Sequence, residues 1–208
     1  MADAPEAQAR KNIDKQLEAC GWKVQDRNQA DITATTGVAI REFPLQGGEE
    51  ADYLLYADGK AIGVVEAKPE GYTLTGVEPQ SDRYTKGLPD TLPTYRRPLP
   101  FAYESTGVET RFTNALDPDP RSREVFTFHR PETLIEWATQ DTQLRARLRI
   151  MPPLIEDALW SVQVEAIKNL EESLANNRPR SLIAMTTGSG NTFTTVNFTY
   201  RLIKHADA

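Results

Sequence analysis

The chain has 208 residues, 39% of them apolar, and its 24 Lys and Arg against 30 Asp and Glu give a net charge of -6 at pH 7. That length fits one fair-sized domain or one domain plus part of another, and a mean hydropathy of -0.53 speaks against extended disorder and against a membrane span. Net acidity gives no global attraction for nucleic acid, so a polyanionic partner has to meet a local basic patch or a bridging metal.

From the N-terminus, no apolar core of a signal peptide is visible, and the single cysteine, Cys20, cannot form an internal disulfide; a cytoplasmic location is the simplest expectation. Ile13, Leu17 and Cys20 recur at helical spacing and predict an amphipathic helix over 5–20, with Gly21 as its stop. "VAIREFPL" (38–45) predicts a strand, followed by a Gly-Gly turn and then by "ADYLLYADGKAIGVVEAK" (51–68), two apolar runs around Asp58-Gly59 that predict a hairpin. A short helix is expected after Pro79, and "LPDTLPTYRRPLP" is too proline-rich for regular structure. "FAYES", "TRFTN" and "REVFTF" predict three more short strands, with "DPDPRSR" as a surface loop. Pro131 opens a helix expected to run to Ile150, carrying Leu134, Trp137, Leu144 and Leu148. Composition shifts after "MPP", which sets the expected domain boundary, 1–150 and 151–208. Beyond it come a helix with Val162, Ala166, Ile167 and Leu170 inward, an apolar strand "SLIAM", the Gly-rich loop "TTGSGNT" and a final helix.

The hairpin carries charges where an apolar hairpin has no need of them: Asp52, Glu66 and Lys68. All three are even-numbered, so they share a face only if the register pairs even positions with even ones. A plain two-residue turn at Asp58-Gly59 pairs Ala57 with Lys60, odd with even, and sends Asp52 and Glu66 to opposite faces. A three-residue loop, or a one-residue bulge elsewhere in the hairpin, brings them together. Two converging carboxylates suit a hard divalent cation such as Mg2+, and a neighbouring lysine can orient a water and offset phosphate charge. That is the set of groups a phosphodiester-cleaving site requires. Without convergence the same residues are ordinary solvated charges at strand ends.

Two further features bear on chemistry. Gln80 and Tyr84 lie one helical turn apart, with Arg83, Lys86, Arg96 and Arg97 nearby as candidate phosphate contacts. Gly188, Ser189, Gly190, Asn191 and Thr192 follow an apolar run and open a helix, the context of a phosphate-binding loop. Asn191 stands where the usual loop has lysine, so the cation that would meet the β and γ phosphates is missing, while Thr192 remains available to Mg2+. ATP hydrolysis by this chain is therefore not expected.

With "ADYLLY…VVEAK", "QSDRY" and "TTGSGNT" in this order, and with "LPFAYESTGVETRF" and "FHRPETLIEWA" between them, the chain resembles the N-terminal part of type I restriction enzyme R subunits. The resemblance implies an α/β fold, a PD-(D/E)xK restriction-endonuclease-like mixed sheet flanked by helices, followed by a partial RecA-like (P-loop) segment at the start of a superfamily 2 motor. It further implies cleavage of double-stranded DNA by Asp52, Glu66 and Lys68 with Mg2+ on Asp52 and Glu66, assistance from Gln80 and Tyr84, and Gln163 as a reader of adenine in ATP. Its implied partners are the methyltransferase and specificity subunits of a restriction-modification complex. A helical acidic residue of some relatives would be Glu6, Asp14 or Glu18. The competing reading is a DNA- or nucleotide-binding scaffold without catalysis.

Overall fold

The computed structural model describes residues 5–46, 48–74, 87–178 and 180–208. It divides into two compact units, one running to Leu116 and resuming over Pro120–Gln140, the other comprising Asp117–Asp119 and Asp141–Ala208.

The first unit is built on one mixed sheet of seven strands in sequential order. These are β1 (Trp22–Asp26), β2 (Gly37–Pro44), β3 (Glu50–Ala57), β4 (Lys60–Ala67), β5 (Phe101–Ser105), β6 (Thr110–Asn114) and β7 (Arg123–Val125). β1 runs parallel to β2 and β4 parallel to β5, and the other neighbours are antiparallel. Helix α1 (Pro5–Ala19) buries Ala9, Ile13 and Leu17, and together with Leu134 and Ala138 of α2 (Pro131–Thr139) it covers one sheet face, where Tyr53, Leu55, Val65 and Tyr103 lie. The other face, with Ile40, Leu54, Tyr56 and Val64, packs against Leu45, Leu88 and Leu99. Because β3 and β4 lie in the middle of the sheet, both of their faces are apolar, and the run Ala61–Ala67 is buried throughout. Strand β1 was not expected from sequence. Its Lys23, Gln25 and Asp26 give a partly exposed edge strand no clear alternation.

The hairpin turn is two residues long, with Asp58 (φ 47°) and Gly59 (φ 71°) both left-handed, the geometry of a type I′ turn. Ala57 pairs with Lys60 and Tyr56 with Ala61, which is the odd-with-even register. The register then shifts, and Leu55 pairs with Gly63, Leu54 with Val64 and Tyr53 with Val65. Ile62 is the extra residue of a β-bulge, and it corrects the parity that the tight turn sets. Gly63 follows the bulge at the closest approach to β5: a Cβ there would lie 2.7 Å from the Phe101 carbonyl oxygen.

The helix expected over 131–150 is two helices, α2 in the first unit and α3 (Leu144–Arg149) in the second, because the chain leaves helical geometry at Gln140. Helix α4 (Ser161–Ala175) turns Gln163 and Ile167 inward and leaves Val162 at 40% exposure, one position away from the expected face. Helix α5 (Asn191–Arg201) ends in a wider π-type turn over Leu202–Ala206. Residues 181–185 form no strand: among the described residues of this unit no second strand offers a ladder, and Leu182 is 93% exposed. Ile167 and Ala206 are the buried apolar residues of this unit among those described. Polar links take the place of a core, chiefly the Arg201 guanidinium on Glu171 (Nε to Oε1 2.6 Å, Nη2 to Oε2 3.0 Å) and on the Pro152 carbonyl (2.6 Å).

Candidate functional site

Asp52 and Glu66 are the next residues of their strands beyond Tyr53–Val65, the last pair of the β3–β4 register. Asp52 Oδ2 accepts the backbone N–H of Ala67 (2.8 Å), which fixes the carboxylate against β4. Glu66 is buried, and Lys68 Nζ lies 2.6 Å from its Oε1. Further across the sheet, Glu66 pairs in register with the fully buried Glu104 of β5, and Glu104 with Arg111 of β6. Ser122 Oγ donates to Glu104 Oε2 (3.3 Å) and receives a bond from Arg111 Nε (3.0 Å).

Sequence reasoning missed Arg10. From α1 its guanidinium reaches Asp52 Oδ1, Glu6 Oε1 (3.1 Å) and Glu42 Oε1 (3.1 Å). Burial pulls the Arg10 pKa down, but Asp52, Glu6 and Glu42 together raise it above its ordinary value. Glu42 lies across from Asp52 in the β2–β3 register, between the Arg41–Tyr53 and Phe43–Ala51 pairs, and adopts a left-handed conformation (φ 51°). A non-glycine residue held there carries about 1–2 kcal/mol of strain. The Glu6–Arg10 spacing of one helical turn was the available sequence signal for this cluster.

The three helical acids are now distinguishable. Glu6 shares Arg10 with Asp52; Asp14 accepts from Arg41 Nη2 and from Tyr53 Oη (both 2.8 Å); Glu18 is exposed. Burial, with the Asp14 charge adding to it, pushes the Tyr53 hydroxyl far above its usual pKa.

Gln80, Arg83, Tyr84 and Lys86 lie outside the described residues. Arg96 and Arg97, considered above as phosphate contacts, hold backbone instead: Arg96 donates to the Ala138 and Gln140 carbonyls at the end of α2, and Arg97 to those of Leu88, Pro89 and Leu92.

In the second unit Gly188 (φ 87°) and Gly190 (φ 84°) shape the loop ahead of α5. Gln163 braces it, its Oε1 accepting the Trp160 N–H (3.0 Å) and its Nε2 donating to the Ser189 carbonyl (3.0 Å). The Ser189 hydroxyl lies 2.6 Å from the Thr186 carbonyl and 3.0 Å from Asn191 Oδ1, so Asn191 supplies an acceptor where a phosphate loop has a cation. Thr192 is exposed.

Whether the hairpin suits a metal can be judged from its donors. Among the described residues no three His, Cys, Asp or Glu side chains gather closely enough to hold an ion by themselves. Asp52 and Glu66 are oxygen donors of the type that Mg2+ accepts one or two of, alongside waters and substrate phosphate.

Residues 23–97 match the family model described as "Type I restriction enzyme EcoKI endonuclease subunit second domain", and residues 156–208 match "Type III restriction enzyme, res subunit". The type I restriction enzyme EcoKI endonuclease subunit of Escherichia coli (strain K12) is 27% identical over 96% of this chain, which spans 21% of that relative's length. A fragment structure of a putative HsdR subunit of a type I restriction enzyme from Vibrio vulnificus YJ016 aligns over 97% of this chain and 38% of its own, with a TM-score of 0.49 and 22% identity. No helix among the described residues is long and apolar enough to cross a membrane.

Proposed function

We propose that this chain, a relative of the R subunits of type I restriction enzymes, carries the Mg2+-dependent endonuclease site of such a subunit in residues 1–150 and the start of its motor in 151–208. The observation that supports this best is the bulge at Ile62, after which Leu54 pairs with Val64 and Tyr53 with Val65, so that Asp52 and Glu66 follow one step beyond, with Lys68 at hydrogen-bond distance from Glu66.

The substrate is double-stranded DNA and the reaction is hydrolysis of a phosphodiester bond. Asp52 and Glu66 hold the cation, which when bound draws charge from the scissile phosphate and acidifies a water. Asp52 is kept in place by the Ala67 N–H, which aims its carboxylate before the substrate arrives. Lys68, steadied by Glu66, orients the attacking water and offsets the charge that grows on the phosphate oxygens. Gln80 and Tyr84 assist by holding backbone phosphates. The loop from Gly188 to Thr192 retains affinity for phosphate through its backbone N–H groups, but Asn191 leaves it without the charge that hydrolysis of ATP requires. The partners are the methyltransferase and specificity subunits, in the cytoplasm.

The assembled complex provides the test. Asp52→Ala, Glu66→Ala and Lys68→Ala should each reduce Mg2+-dependent cleavage of a site-bearing DNA to background. Cutting retained by all three would leave the scaffold reading in its place.

A further inference from the structure

We infer that Arg10 is a positioning residue of this site that occupies the cation's place on Asp52 and is exchanged for the divalent cation when it binds. The inference rests on the nuclease reading above.

Three observations carry it. The Arg10 guanidinium sits on Asp52 Oδ1, and Oδ2 is already bonded to the Ala67 N–H, so an incoming cation finds both oxygens engaged. Arg10 is also incompletely satisfied where it is: its Nε is buried without a hydrogen-bond acceptor among the described residues. A buried donor left in that state favours departure, because leaving removes a desolvation cost. Finally, departure does not strand the charge, since Glu6 and Glu42 both remain within 3.1 Å contact. The left-handed backbone of Glu42 takes that residue out of the β2–β3 pairing, and its carboxylate meets Arg10. Strain of this kind persists where the surrounding structure enforces it. Until a cation arrives, Arg10 neutralises Asp52 and keeps its carboxylate aimed; afterwards Glu6 and Glu42 hold it beside the site.

A merely structural arginine, tying α1 to the sheet, would weaken metal binding when removed or leave it unchanged. A competitor strengthens binding when removed. Calorimetric titration of Mn2+ into the full chain without DNA separates the two. Arg10→Met should bind Mn2+ roughly threefold to tenfold more tightly than the wild type, the range expected for loss of one partly exposed ion pair. Arg27→Met removes a cation that pairs with Glu50 rather than Asp52, and should leave the affinity where it is. Asp52→Asn should abolish binding in either background. Thermal melting verifies each fold, and Arg10→Lys, also expected to bind more tightly than wild type, decides the matter if Arg10→Met does not fold. Unchanged or weaker binding in a folded Arg10 variant, with binding still dependent on Asp52, overturns the exchange and leaves the nuclease reading intact. Equal tightening by Arg27→Met reduces the effect to net charge and also overturns it. Absence of any Asp52-dependent Mn2+ binding removes the metal site itself, and the exchange with it.

Discussion

Asp52 and Ala67 are joined by a side-chain bond that does the work of a backbone rung: the aspartate carboxylate of β3 accepts the N–H of β4 at 2.8 Å. On the proposed function this residue has two separable duties. Asp52→Asn keeps an acceptor of the same shape and should melt close to wild type while losing the divalent-cation binding proposed for Asp52. Asp52→Ala loses the rung as well, and should be destabilised by about 1–3 kcal/mol relative to Asp52→Asn in urea unfolding. Equal stability of the two variants would show that the rung contributes nothing.

Gly63 carries the approach of β4 to β5. Gly63→Ala sets a methyl group 2.7 Å from the Phe101 carbonyl oxygen and 3.1 Å from its Cβ. Neither neighbour is a flexible side-chain end. The expected cost is about 1–3 kcal/mol, seen as a fall of several degrees in melting temperature. Because Glu66 and Glu104 pair across the same strands, the Mn2+ affinity proposed above should fall in parallel.

His129 predicts a pH dependence. Tyr103 Oη accepts the His129 backbone N–H (3.3 Å) and lies 2.7 Å from the His129 Nδ1, within hydrogen-bond distance. Burial lowers the His129 pKa. The folded state therefore binds this proton less readily than the unfolded chain, whose histidines titrate near about 6.5. The stability it contributes is complete above that value and is lost as pH falls through the depressed folded value. Urea unfolding of wild type and His129→Gln, compared from about pH 7.5 to about pH 5, should show the steeper decline in the wild type. Parallel curves would rule the mechanism out.

The second unit depends on a charge pair more than on its apolar interior. Removing Arg201 leaves Glu171 and the Pro152 carbonyl without a partly buried cation. Arg201→Ala should cost about 3 kcal/mol locally and open residues 141–208 to protease well before the sheet unfolds. Glu171→Ala combined with Arg201→Ala should be milder than the sum of the single changes, since neither charge is then left behind.

The sequence was informative where periodicity and burial coincide. Ile13, Leu17 and Cys20 located α1, and the two apolar runs around Asp58-Gly59 located the hairpin, together with the requirement for an odd loop or a bulge if Asp52 and Glu66 are to share a face. It did not say which of these the chain uses, because a type I′ turn and a G1 loop both accept Asp-Gly. Arg10 and Glu42 were illegible for a different reason. Their meeting with Asp52 depends on the backbone of Glu42 leaving strand geometry, and no local pattern announces that. Glu104 was legible in principle: a glutamate inside "FAYES" raises the same question as Glu66 in "VVEAK". The strand expected at 181–185 failed because strand propensity makes no ladder without a neighbour.

Burial of β3 and β4 on both faces has an implication for how errors in this protein would look. In a sheet with one wet face, a strand that slips by one residue is punished at once, because its apolar side chains turn into water. Here a slip exchanges one oily face for another, so the hydrophobic effect scarcely proofreads the alignment. The information that sets the β3–β4 register resides at Asp58, Gly59 and Ile62, several residues from Asp52 and Glu66. Changes there can yield a well-packed molecule whose charged strand ends are misaligned, and a screen based on expression or melting temperature would pass it as normal.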